Sequence, residues 1–253
     1  MKKIRVGIVN YLNTRPLLLG LESAPFNNKI ELTGDYPALV AKKLRNNEIE
    51  VGLIPVAALK TLEQYYIVGS HCISTEKESA SVALFSQVPI NKIERVYLDY
   101  QSRTSAVLIQ VLFKKYWKKE VVFENATSES YIGSIEGTTA GLIIGDRALR
   151  SRARFEFIYD LGEAWINLTG KPFVFAVWAS TQQLDDEFIH EFDEANGLGL
   201  DHLEEVLSAV PYQVGYDLRH YYTSNMNYKL TDEKRQSINL FLEELSQLPT
   251  LNP

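Results

Sequence analysis

The side chains able to do chemistry fall at four places in the chain. Near the start, Asn10-Tyr11-Leu12-Asn13-Thr14-Arg15-Pro16 follows an apolar, β-branched stretch from Ile4 to Val9. A buried strand that breaks into polar residues before a helix leaves side chains and free backbone N–H groups at its carboxyl end, where open α/β sheets hold ligands. Asn10 and Asn13 can there orient or polarise a bound group, and the same amides also suit turn and cap hydrogen bonds. The second place is Ser102-Arg103-Thr104-Ser105, between a strand and a helix. Hydroxyls and N–H groups at a helix start form an anion seat, and the Arg103 guanidinium is a fork that matches a carboxylate. An N-cap followed by a solvated arginine is the plainer reading of the same run. Third, Gly145-Asp146 ends another strand, where Asp146 either meets a substrate hydroxyl or caps the helix from Arg147 to Arg150. Fourth, Ser79 and Ser81 open a further strand, with hydroxyls that face a ligand or serve the backbone.

Other chemistries lack their residues. There is no Gly-x-Ser-x-Gly, no Ser/His/Asp or Cys/His arrangement and no glycine-rich phosphate loop. Cys72 is the sole cysteine, which excludes an intrachain disulfide and a Cys-based metal site, and His71, His190, His202 and His220 show no metal-ligand spacing. The net charge of −6 argues against a nucleic-acid or anionic-membrane partner and leaves room for an anionic small molecule held by local donors. Lys2 and Lys3 precede a short apolar run with no small-residue cleavage site, and no apolar run reaches membrane-span length, so a cytoplasmic protein is expected.

The elements that must position these residues are α/β units. Ile4–Val9, Ile30–Thr33 and Ile49–Ile54 read as strands with helices after the first and second, which points to a parallel sheet. A second set follows, with strands at Arg95–Asp99, Val121–Phe123 and Ala140–Ile144 and an apolar helix from Ala106 to Lys118. Ser81–Ser86 and Pro172–Ala179 enclose that set. Trp165 is either core or an aromatic wall of a site. Residues 185–247 read as mostly helical, with acidic first turns at Asp185-Asp186-Glu187 and Thr231-Asp232-Glu233. We expect two lobes with a cleft between them, one of residues 1–85 plus 180–253 and one of 86–179.

Four blocks together carry a family resemblance: Val6-Gly-Ile-Val-Asn-Tyr-Leu-Asn-Thr-Arg-Pro-Leu17, Ser102-Arg-Thr-Ser105, Leu142-Ile-Ile-Gly-Asp-Arg-Ala-Leu149, and Asp160-Leu-Gly-Glu-Ala-Trp165 with Leu168 to Ala179. In this order the chain resembles the chorismate dehydratase family, which opens the futalosine route to menaquinone. The resemblance implies an α/β, two-lobed, periplasmic-binding-protein-like fold of the type II kind, working as an enzyme. It implies a hydro-lyase that converts chorismate to the enolpyruvyl ether of meta-hydroxybenzoate, 3-(1-carboxyvinyloxy)benzoate, with no metal or organic cofactor. Asn13 and Ser81 match its catalytic candidates. Asn10, Ser102, Arg103, Thr104, Ser105, Gly145 and Asp146 are the residues expected to bind substrate. Tyr11 and the pair Thr14-Arg15 depart from the family pattern at the mouth of the site. Two alternatives share the fold: a non-catalytic binding protein for a small carboxylate, and the sister dihydroxynaphthoate synthase acting on a cyclic futalosine derivative. The Asn-Tyr-Leu-Asn-Thr-Arg-Pro run speaks against the second. The sequence leaves oligomeric state open.

Overall fold

The computed structural model describes residues 3–210 and 214–248; of the residues read above, Lys2, residues 211–213 of the stretch read as mostly helical and the outermost ends of the first lobe lie outside them. The opening apolar run forms β1 (Ile4–Val9), followed by α1 (Arg15–Leu21), β2 (Ile30–Asp35), α2 (Pro37–Arg45), β3 (Val51–Pro55) and β4 (Tyr66–Thr75). β1 pairs in parallel with β2 and with β3, and helices cover it, so Val6 to Val9 are buried with no polar alternation. Then come β5 (Val82–Ser86), β6 (Arg95–Leu98), α3 (Arg103–Lys115), β7 (Val122–Asn125), β8 (Thr139–Ile144), α4 (Asp146–Ser151), β9 (Phe157–Asp160) and α5 (Leu161–Thr169). The chain ends with β10 (Phe173–Ser180), α6 (Asp186–Asp201), α7 (Leu203–Ser208), α8 (Leu218–His220), β11 (Asn227–Lys229) and α9 (Asp232–Ser246).

Two sheets result. One has the order β11-β4-β10-β3-β1-β2 and the other β7-β6-β8-β5-β9. The two enclosing strands occupy sheets opposite to those expected from the sequence. Val82–Phe85 pairs with β8 and β9 in the second sheet, and Phe173–Ala179 lies antiparallel between β3 and β4 in the first. A continuous apolar run reports burial on both faces; it does not report which strands supply the partners. The chain passes between sheets at residues 76–81 and at 170–172, and we propose these two segments as the lobe boundaries.

The first of these segments is held from both sides. Ala80 adopts φ +59°, a left-handed conformation that costs an L-residue about 1–2 kcal/mol. The buried Asp160 carboxylate sustains it by accepting five hydrogen bonds, from the backbone N–H groups of Ser79, Ala80, Gly162 and Glu163 and from the Ser79 hydroxyl. Arg152 Nη1 adds a hydrogen bond to the Ala80 carbonyl at 3.1 Å. Asp160 thereby caps α5 and locks the strand crossing with one side chain.

α9 closes the back of the molecule. Trp165 of α5 is fully buried, edge-on to Phe173 and Phe241, and its Nε1–H donates to Ser237 Oγ at 3.1 Å. Trp165 is therefore core, and each such aromatic contributes about 2–3 kcal/mol by burial. The expected acidic first turns are present, Asp186-Glu187 in α6 and Asp232-Glu233 in α9, and Asp185 and Thr231 cap these helices by accepting from Glu187 N and Lys234 N.

Candidate active site between the two sheets

The carboxyl ends of β1, β3, β6 and β8 meet at one place. After β1 the chain folds back on itself, because the Thr14 hydroxyl lies 2.6 Å from the Val9 carbonyl and 2.7 Å from that of Tyr11. Pro16 then lies in the first turn of α1, where its missing N–H has no cost. The turn that results faces the second sheet. The Tyr11 hydroxyl donates to Gln101 Oε1 at 2.6 Å, and the Leu12 N–H donates to Asp146 Oδ1 at 3.0 Å. At the end of β3, the Ala57 N–H donates to Thr104 Oγ1 at 3.0 Å. Side chains and backbone from both sheets are thus joined directly across the cleft.

Asn13 sits in the single turn Leu12–Thr14, and its Oδ1 is buried without a hydrogen-bond partner among the described residues. Asn10 is exposed at the strand end. Ser81 is buried beside the strained Ala80; its carbonyl accepts from Gly145 N at 2.7 Å and its Oγ accepts from the Tyr221 hydroxyl at 2.7 Å. Since the Ser81 oxygen is the acceptor there, its own proton is free for another oxygen. A short path of contacts therefore joins the two candidate catalytic residues: Ser81 to Gly145, Asp146 to Leu12, and so to Asn13.

The hydroxyls of the Ser102–Ser105 turn already have structural work. Ser102 caps α3, its Oγ accepting from Ser105 N at 3.1 Å and donating to Ser105 Oγ at 2.9 Å, while Thr104 is engaged by Ala57. Arg103 is exposed on the first turn of α3, and its guanidinium makes no hydrogen bond or ion pair among the described residues. Gly145, at φ +65° and ψ −147°, adopts a backbone conformation essentially confined to glycine, and the Tyr11 ring rests against it, 3.6 Å from where a Cβ would stand. Asp146, in the first turn of α4, accepts from the Leu12 N–H of the other sheet.

Two elements of this region are silent in the sequence. Arg147, on α4, turns its Nη2 toward both oxygens of Asp99 and toward Gln101 Oε1, each at 2.9 Å, with its Cζ 5.3 Å from the centre of the Tyr100 ring. Asp99 is fully buried and also accepts from Gln101 N and from the Tyr131 hydroxyl. The second is Tyr221, which opens a π-helical turn, Tyr221–Asn225, a local widening that recurs at functional sites. Burial raises both Tyr221 and Tyr11 well above the ordinary phenol value, so each is a hydrogen-bond donor at neutral pH rather than a base. Their partners lie far away in sequence, and no local pattern announces them.

Residues 4–247 match the family model for menaquinone biosynthesis. The chain belongs to that family. It is 27% identical over 91% of its length to the chorismate dehydratase of Thermus thermophilus, covering 96% of that protein. A solved protein of Archaeoglobus fulgidus superposes with a TM-score of 0.72 at 15% identity, covering 96% of this chain and 97% of that one. A Candida albicans protein described as having the generic periplasmic binding protein fold superposes at 0.61 and 11% identity, over 100% of this chain and 92% of its own. The fold is accordingly periplasmic-binding-protein-like, α/β, built on two sheets. Among the described residues no helix is long and apolar enough to cross a membrane, and no three His, Cys, Asp or Glu side chains converge as a metal site.

Proposed function

We propose that this chain is a chorismate dehydratase acting in the cytoplasm, a hydro-lyase that forms 3-(1-carboxyvinyloxy)benzoate without a metal or organic cofactor. The observation that carries the reading is the family match over residues 4–247 together with the dehydratase relative over 91% of the chain. The arrangement between the sheets supports it, since Asn13 and Ser81 are linked through Asp146 and Gly145.

The reaction is an elimination driven by aromatisation. The C–H bond on the carbon bearing the ether oxygen breaks, its electron pair becomes the third ring double bond, and the neighbouring hydroxyl departs. The substrate's own enolpyruvyl carboxylate takes the proton, as proposed for the family, and the departing hydroxide recovers one, so that water leaves and no net proton is released. Ser81, with its oxygen held by Tyr221, offers its O–H to the leaving oxygen. Asn13 orients the reacting carbons with an amide whose oxygen the fold leaves unpaired. The Ser102–Ser105 turn and Arg103 add positive potential at the mouth for a dianion. Asn10 and the Gly145-Asp146 backbone complete the walls. The enzyme's part is positioning and polarisation.

The test is direct. Chelator-treated protein should convert chorismate to an aromatic enolpyruvyl ether, read as loss of the cyclohexadiene absorbance. Saturable binding without conversion supports the binding-protein reading, and chorismate left untouched with no binding points to the sister enzyme.

A further inference from the structure

The Arg147 guanidinium is 11% exposed, and its Nη1 is a buried donor with no partner among the described residues, although Nη2 is fully engaged. A buried, unpaired N–H on a charged group is costly, and native folds retain such a group chiefly where something else supplies the acceptor. The position is informative. Gln101 Oε1 accepts from Arg147 Nη2 and from the Tyr11 hydroxyl, so the guanidinium sits where the turn after β1 meets the turn after β6. Tyr100 covers it at 5.3 Å, and Asp99 fixes its orientation through two oxygens. What remains is the Nη1 amino group, two N–H donors on a charged side chain held where the two turns meet.

We infer that Arg147 is the carboxylate seat of the site, Nη1 donating to the ring carboxylate of the substrate. The choice of the ring carboxylate rests on the dehydratase reading; the seat itself does not. If the enolpyruvyl carboxylate is the base, a charge-assisted hydrogen bond from a buried arginine would make it a weaker one. The ring carboxylate, opposite the departing hydroxyl, loses nothing by being held this way. Held there, it fixes the ring against Asn13 and Ser81. Arg103, exposed and screened by solvent, cannot impose such an orientation.

The experiment uses two unreactive probes, 3-hydroxybenzoate and 3-hydroxybenzamide, titrated calorimetrically into the full chain. The wild type should prefer the acid. Arg147→Lys keeps a cation for Asp99 but lacks the second nitrogen, and should weaken the acid roughly ten- to hundredfold while leaving the amide unchanged. Arg103→Ala should weaken chorismate by a smaller factor and preserve the preference for acid over amide. Absence of that preference in the wild type, or its persistence in folded Arg147→Lys, overturns the proposal. Should Arg147→Lys fail to fold, Arg103→Ala decides: preference kept supports Arg147, and preference lost overturns it. A wild type that prefers the acid through Arg147 yet leaves chorismate unconverted rejects the dehydratase and keeps the seat.

Discussion

The Tyr221 hydroxyl donates to Ser81 Oγ at 2.7 Å, joining residues 140 positions apart. One partner lies on the π-helical turn of the C-terminal region and the other where the chain leaves the first sheet for the second. The bond fixes the serine rotamer and sets the direction of its proton. A helical region without any recognisable motif thus reaches the candidate site.

Tyr221→Phe tests that relationship. It removes the donor and leaves Ser81 free to rotate, at a stability cost of about 1 kcal/mol for one buried hydrogen bond. On the proposed mechanism, turnover of chorismate should fall by roughly ten- to hundredfold with little change in KM, because there the hydroxyl acts on departure of the leaving group and not on binding. A variant that binds and turns over normally would remove Ser81 orientation from the account.

Much of the fold is legible in the sequence because it depends on local pattern. The parallel units around β1 and β6 follow from apolar runs alternating with helical periodicity, and acidic first turns, Asp186-Glu187 and Asp232-Glu233, mark the starts of α6 and α9. Tyr66–Thr75 goes unnamed because its mix of Gly69, Ser70, His71 and Ser74 has neither alternation nor a continuous apolar run, yet it is flanked by β10 and β11. Sheet membership of β5 and β10 depends on partners chosen by the whole fold. The site divides the same way. The Asn10–Asn13 and Ser102–Ser105 turns are visible as polar breaks after strands, whereas Arg147, Gln101 and Tyr221 acquire meaning only through partners distant in sequence.

Tyr11→Phe addresses the contact between the sheets. The variant loses the Tyr11–Gln101 hydrogen bond but keeps the ring packed on Gly145, and Gln101 Oε1 retains Arg147 Nη2. A bond of about 0.5–1.5 kcal/mol that forms only when the two sides meet should appear as a two- to tenfold weaker affinity for 3-hydroxybenzoate. The melting temperature should stay close to that of the wild type. Unaltered affinity would mean that the bond does not contribute to the ligand-bound arrangement.

A pH effect is expected where α6 meets β4. Burial would raise the Asp193 carboxyl, but hydrogen bonds from His71 Nδ1 at 3.0 Å and from Ser70 N at 2.7 Å outweigh it and hold the group below its usual value. A carboxyl depressed in the folded state adds stability that is present above about pH 4 and is lost as pH falls through the lowered value. The side chain is partly exposed, so the contribution is at most about 1 kcal/mol. Urea unfolding between about pH 5 and about pH 3, across the ordinary carboxylate range, should show the wild type losing stability more steeply than Asp193→Asn. Equal slopes would place the pair outside the acid response.

Asn13→Ala separates a residue kept for the fold from one kept for chemistry. Removing a satisfied buried amide costs stability, because its former partners are left unpaired. Asn13 Oδ1 has no such partner, so its removal relieves a buried acceptor that water no longer solvates. The variant should therefore be as stable as the wild type, or more stable by up to about 1–2 kcal/mol in urea unfolding. On the proposed mechanism its turnover of chorismate should nonetheless fall by roughly a hundredfold or more, with a much smaller change in KM, since there the amide acts mainly in the transition state. Stability held and turnover lost is the signature of an amide retained for substrate. If stability falls while turnover per folded molecule is unchanged, Asn13 serves the turn between β1 and α1, and the proposed mechanism loses the group that orients the reacting carbons.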